Sequence, residues 1–179
     1  MRYIPSPKQL SLFAVPYKYI IDSCAIISQN LRSMYPRSVH KGLWEGIDSL
    51  VKTHELVICK QIESEILAGK RDDEAKEWVK NSDLVVLEED EFVQRHVAEV
   101  VNSTPRLLRF GAARGTSSGD AFIIATAIEY GLIIVSQERK ASPYKIPQVA
   151  SKFGIETLDI NELAEREGWS FGQIGTPAH

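Results

Sequence analysis

Asp22 closes the apolar run Tyr19-Ile20-Ile21 and is followed at once by the small residues Ser23, Cys24 and Ala25. A carboxylate at the end of a buried strand is costly to desolvate unless something pairs with it. Either it caps the next helix or it holds a cation. Three further acidic positions recur in similar settings. Glu65, with Glu63 as its rival, lies in "KQIESEIL"; Asp120 opens "DAFIIATAIEY"; Glu138 follows "LIIVSQ". Carboxylates gathered at one place repel each other unless a hard cation sits among them. A set built from Asp and Glu, poor in His and Cys, suits Mg²⁺ or Mn²⁺ better than Zn²⁺.

Each residue also has a plainer reading. Asp22 caps the helix that starts near Ala25. Asp120 is the acidic member of a capping box with Ser117. Glu65 is a solvated helix residue, and the helical wheel does not separate it from Glu63, since both flank the stripe of Ile62 and Ile66. Glu138 is surface charge in a polar loop. The ordered set argues for a site more strongly than any member does.

The elements that must position these groups alternate in type. "KYIID", "LVIC", "LVVL", "LIIVS" and "IETLDI" are short apolar runs that predict strands. Helical spacing predicts helices through "HKGLWEGIDSLVKTHE", "KQIESEILAGK", "RDDEAKEWVKNS", "DEFVQRHVAEVVNS", "DAFIIATAIEYG", "IPQVASKFG" and "NELAEREGW". Uniformly apolar strands between helices predict an α/β fold, with a mostly parallel central sheet covered by helices on both faces. In such folds the functional crevice lies at the carboxyl ends of the strands, where Asp22 and Glu138 fall.

The chain has 179 residues, enough for one domain with a substantial core. Residues 1–17 read as an N-terminal arm, and residues 18–179 as the domain. The net charge of −3 excludes a protein that coats nucleic acid indiscriminately, but leaves room for a local basic groove. "PRLLRFGAARGTSSGD" supplies Arg106, Arg109 and Arg114 ahead of Asp120, a residue type suited to phosphate. Arg32, Arg37, Lys41, Lys140 and Lys145 are candidates for an outer rim. Cys24 and Cys59 read as buried free thiols. Prolines interrupt the first residues, so no signal peptide is expected, and no stretch is long enough to span a bilayer. A soluble, cytoplasmic protein is the expectation.

These motifs carry a family resemblance. The chain from about Tyr19 onward resembles the PIN-domain nucleases, which include the VapC-type toxins of bacterial toxin–antitoxin pairs. "YIIDSCAI" is similar to that family's opening strand and first acidic residue, Asp22. "ICKQIESEIL" resembles the segment carrying the second, which falls on Glu65 because it directly precedes Ile66 and Leu67. "SGDAFIIATAIEYGLIIVSQE" is the most specific stretch and places Asp120 and Glu138. "YKIPQVASKFGIETLDINELAEREGW" resembles a subgroup with an Ile-Pro and Gly-Trp ending. Two departures stand out: the last acid is more usually Asp, and residues 1–17 have no counterpart in the minimal domain.

The resemblance implies a divalent-metal-dependent ribonuclease with Mg²⁺ or Mn²⁺ at Asp22, Asp120 and Glu138. Glu65 then holds a metal or orients the attacking water. Ser23 and Ser136 assist a carboxylate or phosphate, and Arg106, Arg109 and Arg114 bind RNA. It further implies a protein antitoxin as partner and raises a homodimer as an option. Two rival classes remain: a catalytically inactive PIN-like interaction protein, and a metal-dependent phosphatase. The haloacid-dehalogenase type of phosphatase needs a second Asp where Cys24 stands. A nucleotide-binding module of Rossmann type wants a glycine-rich turn that "DSCAIIS" lacks.

Overall fold

Apolar strands of three or four residues can be satisfied only deep inside a sheet, and that is where the chain puts them. The computed structural model describes residues 16–26, 35–69, 73–107 and 119–169. Its five strands are β1 (Tyr19–Ile21), β2 (Leu56–Cys59), β3 (Val85–Leu87), β4 (Ile133–Val135) and β5 (Thr157–Leu158). They form one sheet in the order β3-β2-β1-β4-β5, with every pairing parallel. Every residue of β1 and β2 is buried, as continuous apolar runs require at the centre of a parallel sheet.

The described helices are α1 (Ser23–Ile26), α2 (Lys41–Lys52), α3 (Lys60–Ala68), α4 (Asp73–Asn81), α5 (Glu91–Ser103), α6 (Gly119–Tyr130), α7 (Ile146–Ser151) and α8 (Ile160–Arg166). The chain steps outward from β1 to β3, then returns to place β4 and β5 on the other side of β1. Right-handed crossovers in the two directions put helices on opposite faces of the sheet. The reversal lies between β1 and β4, so the crevice at their carboxyl ends is the topological switch point.

Local chemistry sets the element ends. Gly69 closes α3 in extended backbone, and Gly131 ends α6 with φ +65°, a conformation glycine adopts without strain. Asp159 caps α8 in a reciprocal capping box with Glu162. The stripe Leu43, Trp44, Ile47, Leu50 and Val51 of α2 is buried, as its spacing predicts. Helix α6 is apolar nearly all round, and its Ala121, Ile123, Ile124, Ala125 and Ala127 are buried.

The carboxyl end of the described chain is strapped back over the body. Glu167 accepts from Lys18 Nζ and from Tyr19 Oη, each at 2.5 Å. Trp169 then lies against Gly46 of α2, so close that a Cβ there would sit 2.3 Å from Trp169 Cε2. The Gly-Trp ending thus has a packing role. Of the proposed N-terminal arm only Pro16 and Tyr17 fall within the described residues; Tyr17 packs at 6.4 Å on the Tyr130 ring. Neither cysteine is in a disulfide; Cys59 is buried, whereas Cys24 is only partly so. Among the described residues no helix is long and apolar enough to cross a membrane.

Candidate active site

The switch point gathers acidic side chains from four separate elements. Asp22 leaves the end of β1 and is 3% exposed. Its Oδ2 accepts from Ser136 Oγ at 3.1 Å and from the Cys24 thiol at 2.6 Å, and its Oδ1 lies 3.4 Å from Ser23 Oγ. Ser136 sits just past β4, on the neighbouring strand. It accepts from the Glu138 main-chain N–H at 3.2 Å while donating to Asp22, so one hydroxyl joins the two strand ends. Both serines singled out from the sequence therefore serve Asp22.

Glu65 and Glu63 part company in the fold. Glu65 Oε1 accepts from the Gly119 N–H at 3.2 Å, at the first residue of α6. Glu63 faces the other way and pairs with Lys60. Glycine at 119 permits this approach: a Cβ there would lie 2.5 Å from Glu65 Oε1, and the carboxylate would have to move aside. Asp120 follows within the first turn of α6, where the helix dipole favours a negative charge.

Glu138 is engaged on both oxygens. Oε2 accepts from the Ile146 N–H at 2.8 Å, at the start of α7, and Oε1 pairs with Lys145 Nζ. The Glu138 side chain is 12% exposed and that of Lys145 46%. A lysine inside the acidic constellation was not foreseen beyond a place on an outer rim. Arg37 and Lys140, also expected on that rim, are committed to Asp48 and Glu162. Arg106 donates to Tyr144 Oη at 2.7 Å and lies over its ring. Arg109, Arg114, Arg32 and Ser117 lie outside the described residues.

The electrostatics of the cluster run in one direction. Burial pushes Asp120 up from 3.8 to about 7, with the charges of Glu138, Asp22 and Glu65 adding to it and Lys145 opposing. Burial likewise raises Asp22; the Glu138 charge adds to this, and hydrogen bonds from Cys24 and Ser136 resist it. Glu65 is raised by burial and then by Asp22, against the Gly119 N–H. Burial and the adjacent Asp22 push the Cys24 thiol up, so it stays protonated and acts as a donor to that carboxylate. Asp22 thus makes ionisation of Glu65 and Asp120 harder, Glu138 and Glu65 add to the effect on Asp120, and a divalent cation would relieve this repulsion. The donors are all oxygens, the preference of Mg²⁺ or Mn²⁺. Among the described residues no three acidic, His or Cys side chains are arranged as a ready-made coordination shell.

An all-parallel sheet in this order, with carboxylates converging on its switch point, defines a PIN-like α/β domain. The chain belongs to the family described as a domain of unknown function, DUF4411, whose profile matches residues 19–171. No curated protein matches the sequence. Among solved structures, a chain of the DNA-bound VapBC complex from Salmonella typhimurium matches with a TM-score of 0.54 at 18% identity, over 80% of this chain and 98% of its own. A chain of VapBC-1 from nontypeable Haemophilus influenzae gives 0.53 at 15% identity, over 80% and 98%. A chain of VapBC2 from Rickettsia felis, bound to a DNA fragment from its promoter, gives 0.51 at 12% identity, over 79% and 97%. The likeness is one of fold, and it agrees with the PIN-like architecture expected from the sequence.

Proposed function

We propose that this protein is a divalent-metal-dependent ribonuclease, acting as the toxin of a toxin–antitoxin pair. The observation that carries the reading is the convergence of Asp22, Glu65 and Asp120 at the switch point, where Asp22 raises the proton affinity of both others and Glu65 adds to that of Asp120. Such a cluster is poorly suited to structural service, because like charges buried together cost stability. It suits a site that takes up a cation.

Asp22 and Asp120 would hold the ion, whereas the Glu138 carboxylate is taken up by Lys145 and the Ile146 N–H. A bound Mg²⁺ or Mn²⁺ supplies Lewis acidity, making water a better nucleophile and offsetting charge on the phosphorane-like transition state. Ser136 keeps the Asp22 carboxylate oriented by its hydrogen bond. Glu65, pinned by the Gly119 N–H, orients the attacking water. Arg106, with Arg109 and Arg114 in the segment before α6, meets the phosphates of the RNA. The fold shared with VapBC chains supports a protein antitoxin as partner.

The test is cleavage of total RNA by the purified protein with Mg²⁺ or Mn²⁺, with EDTA and Asp22→Asn as controls. Cleavage lost in both controls supports the reading. Asp22→Asn keeps the volume of the side chain and one acceptor oxygen, and Ser136 can turn its hydroxyl to accept from the new amide, so the variant folds. Full activity in that variant refutes the site assignment. Absence of both cleavage and calorimetric metal binding in the native protein would favour an interaction protein that retains the fold.

A further inference from the structure

The residues after β4 form a compact arrangement whose lysine the nuclease reading does not use. Three consecutive residues, Tyr144, Lys145 and Ile146, are tied down by partners from elsewhere. Arg106 holds Tyr144, while the two oxygens of Glu138 take the Lys145 ammonium and the Ile146 N–H. The Glu138 carboxylate is largely shielded, whereas nearly half of the Lys145 side chain is open to solvent. A shielded carboxylate with both oxygens satisfied is a poor candidate for a metal ligand. A half-open lysine held beside acidic groups is a good candidate for an anion contact, because its ion pair leaves ammonium hydrogens unused.

We infer that Lys145 binds a phosphate oxygen of the RNA at the carboxylate site, and that Glu138 is the positioning residue that aims it. This rests on the nuclease reading and assigns two residues within it. The charge balance favours the arrangement. Asp22, Glu65, Asp120 and Glu138 are four acidic groups, and a divalent ion leaves their site still negative and repulsive to a phosphodiester. Lys145, which interacts electrostatically with Asp120 and pairs with Glu138, supplies a positive charge where the chain would otherwise repel its substrate. The neighbouring Arg106–Tyr144 pair extends the same ledge with a cation lying over an aromatic ring.

The experiment compares Lys145→Met, Lys145→Arg, Glu138→Gln and the double variant with the native protein. Three readouts are needed: Mn²⁺ affinity by calorimetry, cleavage kinetics, and binding of a labelled single-stranded RNA in Ca²⁺ across a salt series. Lys145→Met is expected to raise the RNA KM by about tenfold, with kcat changed by less than about threefold. It should also reduce the salt dependence of RNA binding by about 0.7 in log–log slope, the contribution of one phosphate contact to a single strand. Lys145→Arg restores most of both losses. Glu138→Gln raises KM in the same direction, leaves Mn²⁺ affinity within about threefold, and adds little to Lys145→Met in the double variant. A loss of about tenfold or more in Mn²⁺ affinity on Glu138→Gln overturns the assignment, because it ties Glu138 to the metal, as a ligand or as the support of one, rather than to Lys145. So does an unchanged KM and salt slope for Lys145→Met, which reduces the lysine to a counter-ion. If the native protein cleaves no RNA, the nuclease reading falls, and the Ca²⁺ binding series still decides whether Lys145 contacts phosphate.

Discussion

Asp120→Asn should stabilise the metal-free protein above neutral pH and do nothing for it in acid. The native fold holds the Asp120 proton up to about pH 7, whereas the unfolded chain releases it near 3.8. Between those values the native state binds more protons than the unfolded state, so stability falls as pH rises through the window and is flat above it. The interval corresponds to roughly 4 kcal/mol as an upper bound, and water reaching a partly exposed side chain reduces it to about 2 kcal/mol. In a domain of this size that is a gain of about 4–8 °C in melting temperature for the Asn variant. The assay is thermal unfolding in EDTA from about pH 4 to pH 8, native protein against variant, the window being that of the linkage. The two curves should meet in acid, separate progressively through this window and keep a constant gap above it. Added Mn²⁺ should then raise the native melting temperature at the alkaline end far more than at the acidic end, because protons compete with the metal. A variant less stable than the native protein at alkaline pH in EDTA would refute the reasoning, since Asp120 would then be stabilising as a charge.

Two glycines make a contrasting pair. Gly119→Ala drives a methyl into the Glu65 carboxylate, the free end of a flexible side chain. The carboxylate swings aside, so melting temperature should fall by only a few degrees while RNA cleavage drops about tenfold or more, reflecting a misplaced catalytic group. Full activity with a shifted melt would remove Glu65 from the mechanism. Gly46→Ala pushes into the body of the Trp169 ring, which cannot yield as a chain end does. Overpacking of this kind costs about 1–3 kcal/mol, and Trp169 fluorescence should red-shift as the ring is displaced. Unchanged fluorescence and stability would show that Trp169 does not strap the domain.

Some of this molecule was legible in one dimension. The runs "YII", "LVIC" and "IIV" became buried strands because a strand covered on both faces needs only local apolarity, and the sequence states that directly. The helix ends at Gly69 and Gly131 and the cap at Asp159 were written in residue types that act within a few positions. Asp22 was conspicuous because a carboxylate closing an apolar strand is a local contradiction. Other features were not legible. Glu63 and Glu65 flank the same stripe, and only the docking of α6, 54 residues away, draws Glu65 onto the Gly119 N–H. The role of Cys24 was equally hidden: nothing in its neighbours foretells that it donates to Asp22 beside Ser136.

The sequence by itself determined the alternation of strand and helix, hence the α/β class, and it determined that acids stand at the ends of apolar elements. Those properties depend on residue type and on spacings of a few residues. Only the tertiary structure decided how the acids relate to one another and to Lys145. The bond from Ser136 to Asp22 spans 114 positions, and the raised proton affinity of Asp120 arises from burial together with charges on three other elements. Distance and solvent exclusion set both effects, and neither is a property of any stretch of chain until the sheet has brought its strand ends together.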